Sequence, residues 1–168
     1  GRFQLYLADA ARMDFFPAGS FDCALAMELI CYSIEPERIM ENLRRVLKRG
    51  GWLFISVENK SGALIGDNNL SAEEIAAAIA DDDVRIENYL YVKYYCKKML
   101  REMLEGSGFK VVKIVGCQYT VDGVFDRVAR RMMKTKGAER VLYGIERLCR
   151  RDAVLKDFPR AWFAVARK

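Results

Sequence analysis

Three acidic positions each close an apolar run. Asp9 follows Gln4 to Ala8 (QLYLA), Glu28 follows Phe21 to Met27 (FDCALAM), and Glu58, with Asn59, follows Trp52 to Val57 (WLFISV). A carboxylate at such a position can accept hydrogen bonds from the amino or hydroxyl groups of a ligand. In open α/β sheets, ligands bind just beyond the carboxyl ends of the strands. The sequence contains no histidine, which removes Ser-His and Cys-His nucleophilic pairs. Its five cysteines, Cys23, Cys31, Cys96, Cys117 and Cys149, form no CxxC pair. Without histidine a zinc site would need widely scattered ligands, so no metal is expected. The cysteines read as buried or half-buried free thiols in a reducing cytoplasm.

The net charge is +5 and unevenly spread. Between Arg127 and Arg151 nine Lys or Arg stand against only Glu139 and Glu146, a surplus that suits an anionic partner. Aromatic residues are few in that segment, which argues against a nucleic-acid stacking platform.

The elements that would position these groups follow from the apolar pattern. The 168 residues fit one domain. No apolar run reaches the roughly 18 residues of a membrane span. Gln4 to Ala8 reads as a short strand, and Arg12 to Ser20, with Pro17 and Gly19, as a loop. Phe21 to Met27 is nearly continuous and apolar, as expected of a strand buried on both faces of a parallel sheet. A helix opens at Glu35-Pro36. Its inward face carries Ile39, Leu43 and Leu47, Lys48 and Arg49 complement its C-terminal dipole, and Gly50-Gly51 terminate it. Trp52 to Val57 is the next strand, completing a βαβ unit.

Residues 60–70 read as a loop. Ser71-Ala72-Glu73-Glu74 reads as a capping box leading into a helix over Ile75 to Ala80, stopped by Asp81 to Asp83. A further helix runs from about Lys97 to Glu105 with Met99, Leu100, Met103 and Leu104 inward. It is followed by a strand at Lys110 to Val115. Residues 123–151 are helical and basic, with Val124, Phe125, Val128, Met132, Val141, Leu142, Ile145 and Leu148 at near-helical spacing. Ala161 to Ala166 (AWFAVA) is the last strand. This alternation predicts an α/β fold with a mostly parallel sheet.

Several segments together resemble a known family. Leu7-Ala8-Asp9-Ala10-Ala11, Phe15-Phe16-Pro17 and Ser20-Phe21-Asp22 are similar to the D-A, F-P and S-F-D elements of class I S-adenosylmethionine-dependent methyltransferases. Arg45 to Leu53 (RVLKRGGWL) resembles their R-V-L-K-P-G-G-x-L segment, with Arg49 in place of proline. Lys98-Met99-Leu100 through Gly108-Phe109 resembles the later helix that ends in G-F before a strand. The closing Ala161 to Lys168 resembles small-molecule members similar to the ubiquinone-biosynthesis methyltransferases.

The resemblance implies a Rossmann-like methyltransferase fold with an antiparallel C-terminal strand, and S-adenosyl-L-methionine as cofactor. By position, Asp9 would accept a hydrogen bond from the adenine amino group and Ala10 would offer its backbone N–H. Asp9 equally suits capping the turn that follows it. Met27 would line the donor pocket, while Glu28 and Tyr32 would face the substrate, although Glu28 also suits a solvated position and Tyr32 a packed one. Phe15 and Phe16 could cover adenine or seal the sheet edge. Asp22 matches a structural aspartate.

The family's Gly-rich loop and second-strand acid do not appear, and Gly50-Gly51 precedes a strand where that loop must follow one. The sequence therefore reads as a single partial domain, 1–168, lacking the first two strands and inactive by itself, with a basic helical insertion at about 123–151. The expected parent activity is methyl transfer to a small or lipid-like acceptor, with peripheral membrane contact through the basic segment. A catalytically silent, methyltransferase-like binding or regulatory domain is the alternative.

Overall fold

The structure is a computed structural model that describes residues 3–61, 71, 73, 83–86, 90–120 and 125–168. Apart from Ser71 and Glu73, the capping box and helix expected between Ser71 and Ala80 lie outside the described residues, as does Val124.

A four-stranded sheet organises the molecule. Its strands are β1 (Phe21–Met27), β2 (Leu47–Glu58), β5 (Lys110–Cys117) and β6 (Ala161–Arg167), in the order β1-β2-β6-β5. Helix α1 (Pro36–Val46) connects β1 to β2, and these two strands pair in parallel from Cys23 opposite Trp52 to Met27 opposite Ser56. β6 inserts antiparallel between β2 and β5. The βαβ unit expected from the sequence, and the antiparallel C-terminal strand implied by the resemblance, are thus observed. The sheet is mixed, however, because among the described strands only β1 and β2 pair in parallel. A separate hairpin, β3 (Asp83–Ile86) with β4 (Leu90–Lys93), pairs antiparallel.

One face of the sheet is closed. Ala26, Leu53, Ile55, Ala164 and Ala166 pack against Ile39, Met40 and Leu43 of α1, and against Leu100 and Leu104 of α2 (Lys97–Gly106). Met99 and Met103 border this core, as their helical spacing requires. The other face is not closed among the described residues. The alternate β1 positions Phe21, Cys23, Leu25 and Met27 are exposed, Leu25 to 70%. The expectation that β1 is buried on both faces is therefore corrected. Its apolar run carries small alanines inward and large side chains outward.

Gln4 to Ala8 forms no strand. Leu5, Tyr6 and Leu7 are exposed, and among the described residues no strand pairs with the free edge of β1. Strand propensity needs a partner to become a strand. Instead this segment leads into a strap laid along α1. Asn42 Nδ2 donates to Ala10 O at 3.4 Å, and the Arg45 guanidinium donates to Met13 O and Phe16 O at 2.6 Å each.

The α1–β2 junction also differs from expectation. The helix ends at Val46, and Leu47 is already extended. Lys48 to Gly51 therefore belong to β2 rather than to a helix terminus. The register irregularity between Phe21 and Cys23 lies opposite this stretch. Gly50 sits at φ +76°, where a side chain would be strained, and a Cβ on Gly51 would lie 2.9 Å from Lys48 O.

The basic segment forms α3 (Asp126–Met132) and α4 (Ala138–Cys149). Ala129, Ala138, Leu142 and Cys149 are buried, and Phe125, Met132 and Ile145 are half-buried. Val128, Val141 and Leu148, expected on the packed face, are exposed. The inward face of α4 is therefore narrower than the apolar spacing implied.

Candidate functional site

The carboxyl ends of β1 and β2 converge on a compact polar cluster. Glu58, the last residue of β2, is only 3% exposed. Its Oε1 accepts the Tyr32 hydroxyl at 2.6 Å and Arg160 Nη2 at 3.0 Å. A buried carboxylate needs such partners, because leaving it unpaired costs its full desolvation. The following residue, Asn59, is equally buried. Its Nδ2 donates to Pro159 O at 2.8 Å and Asp157 O at 3.3 Å, and its Oδ1 accepts Trp162 Nε1–H at 2.9 Å. The backbone adds Tyr95 N–H to Glu58 O and Asn59 N–H to Arg160 O, both 2.9 Å. The end of β2 is thus fastened to the segment entering β6, about a hundred residues away.

Glu28 occupies the exit of β1 with φ +50°, an uncommon conformation for a residue with a side chain. It is held there by its N–H, which donates to Ser56 Oγ and Ser56 O at 3.0 Å each. Its carbonyl accepts the Cys31 thiol at 3.2 Å. Such strain, fixed by neighbours, recurs at functional sites. A 3-10 turn, Ile30–Tyr32, then buries Cys31 and aims the Tyr32 hydroxyl at Glu58.

Burial, reinforced by the Glu58 hydrogen bond and charge, raises the Tyr32 phenol above its ordinary value, so it acts as a neutral donor. Burial also pushes the Cys31 thiol up to about 12 and the Cys117 thiol to about 11. Neither is a reactive thiolate near neutrality. All five cysteines are unpaired, with Cys31 and Cys149 buried. No group of three His, Cys, Asp or Glu suited to a metal ion occurs among the described residues.

The residues expected to form one site divide into two groups. Glu28 and Tyr32 come together at the β1 exit through Cys31 and the β2 end, beside half-exposed Met27. Asp9 and Ala10 lie on the strap. Asp9 is exposed; its Oδ1 accepts the Ala11 N–H at 2.8 Å and its carbonyl accepts the Arg12 N–H. This is the turn-forming arrangement, with Arg12 4.0 Å from Asp9 Oδ2. Ala10 is half-buried against the core.

Phe15 and Phe16 form an aromatic group with Tyr6, and Phe16 meets the Phe21 ring edge-on at 5.1 Å. Phe21 begins β1, so these rings seal the sheet edge at the end opposite Glu28. Asp22 is paired on the surface with Lys48 at 2.8 Å, which fits a structural role.

The site list drawn from sequence omitted Glu58 and Arg160. Glu58 was visible as an acid ending an apolar run. Nothing local to Arg160 signalled its pairing with a residue 102 positions earlier.

A family model described as a methyltransferase domain matches residues 1–55, the stretch from the strap through α1 into β2. Over that first third of its length the chain is similar to a methyltransferase domain. The human mitochondrial ubiquinone biosynthesis O-methyltransferase is 28% identical over 102 residues, covering 61% of this chain and 26% of that protein. Among solved structures, an S-adenosylmethionine-dependent methyltransferase from Thermotoga maritima matches with a TM-score of 0.58 and 14% identity, over 96% of this chain and 62% of that one. One from Listeria monocytogenes matches with a TM-score of 0.62 and 10% identity, over 96% of this chain and 67% of that one. At such identities the structural matches speak for the fold. The chain spans about a quarter of the human relative and about two thirds of these two structures.

The residues present suit the methyl donor only in part. Asp9 keeps Oδ2 only loosely engaged and could accept an adenine amino group. Among the described residues, no glycine-rich loop follows the carboxyl end of a strand to cradle the methionyl end.

Proposed function

We propose that this chain forms the acceptor side of a methyltransferase acting on a small or lipid-like molecule. The observation that carries the reading is the Tyr32–Glu58–Arg160 cluster, centred on the buried Glu58 at the carboxyl ends of β1 and β2 beside the strained Glu28. Methyl transfer from a sulfonium is an in-line displacement whose leaving group needs no activation, so the protein's main work is positioning. Tyr32 and Glu28 suit that work. Glu58 and Arg160 fix the Tyr32 hydroxyl while its ring remains partly exposed, and the backbone of Glu28 is locked by Ser56. Asp9 and Ala10 are assigned to the adenine of the donor and Met27 to its pocket.

The basic helices supply a candidate partner surface. Glu146 Oε1 accepts the N–H and hydroxyl of Thr120 at 2.9 Å each, tying α4 beyond the carboxyl end of β5. At 3.6 residues per turn, Arg140, Arg147 and Arg151 share an outer face with Val141 and Leu148. Exposed apolar residues flanked by arginines suit an anionic bilayer surface or a lipid-like substrate.

Chemical-shift mapping with millimolar S-adenosylhomocysteine, against NADH as control, tests the donor assignment. Shifts are expected at Asp9, Ala10 and Met27 with the first ligand only. Absence of shifts at these residues favours the silent binding domain, and equal response to NADH overturns the methyltransferase reading.

A further inference from the structure

A polar cavity lies on the α2 side of the sheet, lined by Gly116, Tyr119 and Trp162 among others. Its volume is about 270 Å³, and its charged lining groups are Lys97, Arg150, Lys156 and Asp157. Three cations stand against Asp157 and against Glu146, whose Oε2 lies 3.7 Å from Arg150, which leaves a smaller net positive character.

Its walls are built rather than incidental. The loop carrying Lys156 and Asp157 is fastened at successive points. Asp152 Oδ1 accepts the N–H groups of Val154 and Leu155 at 2.9 Å. The buried Tyr119 hydroxyl donates to Lys156 O at 2.9 Å, and Asn59 Nδ2 donates to Asp157 O and Pro159 O. The Tyr119 hydroxyl lies so close over Gly116 that a Cβ there would collide with it and with Pro159. The opposite wall is Trp162, whose indole N–H is held by Asn59 and over whose ring Lys97 Nζ stands at 5.8 Å. Arg150, at the end of α4, stays 3.7 Å from Glu146, which is itself anchored on Thr120. Lys97 and Lys156 are exposed, so they can turn toward a ligand without unfolding anything.

We propose that this cavity binds the phosphoryl group of a small phosphorylated molecule. A phosphoryl group suits a cavity lined by Lys97, Arg150 and Lys156 better than a single carboxylate does. It also accepts several charge-assisted hydrogen bonds at once. The volume leaves room for an attached organic group of a few heavy atoms. Asp157 lowers the affinity for inorganic anions and sets an upper limit on the charge the cavity holds. The proposal stands independently of methyl transfer, since none of its residues is assigned to the donor or acceptor.

Titration of the 168-residue chain with inorganic phosphate and with glycerol 1-phosphate, followed at the Trp162 indole N–H by NMR, tests it. Saturable shifts are expected below about 10 mM, with glycerol alone silent. Lys97→Gln and Lys156→Gln should each weaken binding about tenfold, while Asp157→Asn should tighten it severalfold. Lys110→Gln, at the start of β5 and outside the cavity, should leave it unchanged. Vesicles containing phosphatidic acid form a second arm. A Trp162 shift with glycerol 1-phosphate identifies a soluble ligand, and a shift with vesicles alone assigns the cavity to a lipid headgroup and overturns the small-molecule proposal. No saturable shift with any phosphate, or equal weakening by Lys110→Gln, overturns it outright.

Discussion

The two faces of the sheet differ more than the strands that form them. On the α1 and α2 side, Leu53, Ile55 and Ala164 are fully buried. On the other side, Leu25, Met27 and Trp52 from the same or neighbouring strands are exposed to between 38% and 70%. Both sets are apolar and both lie on regular, paired strands. Hydrogen bonding therefore builds the sheet, whereas helix packing decides which half of its apolar surface stabilises it.

The largest effect should separate the faces directly. Ile55→Ala is expected to cost about 2–5 kcal/mol, the range for emptying a packed core position. Leu25→Ala should change stability by no more than about 0.5 kcal/mol, as at a surface site. Urea denaturation of both variants measures the contrast. Similar losses would mean that the open face is covered in solution.

Alkaline pH probes the closed end of β1. Cys31 is raised from 9.0 to about 12, mainly by burial. The native state therefore keeps a proton that the unfolded chain releases above pH 9. This contribution to stability is complete below pH 9 and falls as pH rises toward 12, at up to about 1.4 kcal/mol per pH unit. Cys31→Ala should flatten that slope in stability measured from pH 8 to 11. An unchanged slope would assign the loss to other groups.

A smaller effect is expected at the Tyr32–Glu58 contact. Tyr32→Phe removes one hydroxyl from an oxygen that still has Arg160, and should cost about 1 kcal/mol. Thermal denaturation with Glu58→Gln and the double variant gives the coupling. Additive losses would show that the 2.6 Å contact contributes nothing specific.

The smallest effect on stability, and the clearest on behaviour, concerns the edge of β1 that pairs with no strand among the described residues. An unpaired edge beside an exposed apolar face invites association. Leu25→Lys should leave the urea midpoint nearly unchanged while reducing concentration-dependent light scattering. Scattering that persists would place the association elsewhere.

The same contrast marks what the sequence could convey. The βαβ unit and the inward face of α2 were legible, because period and order constrain them strongly, whereas the antiparallel course of β6 came from the family resemblance. The burial of β1 was not, since an all-apolar strand does not record which face meets a helix. Gln4 to Ala8 carries the pattern of a strand but has no paired neighbour here. Lys48 to Gly51 looked like a helix terminus because glycine serves bulges as readily as caps. At the candidate site, Glu28 could be named as an acid closing an apolar run, whereas Tyr32 was named only through the family resemblance. The partner that orients Tyr32 and the arginine that neutralises it depend on contacts 26 and 102 residues apart in the chain.

Affinity for the donor product tests the account most directly. The carboxyl-end cluster is interlocked, while the donor side offers Asp9 on an exposed strap and, among the described residues, no cradle for the methionyl end. One net hydrogen bond contributes about 1 kcal/mol. Calorimetric titration of the chain with S-adenosylhomocysteine should therefore give a Kd weaker than about 1 mM. Micromolar binding would contradict the account, because it would require a complete donor site within these residues.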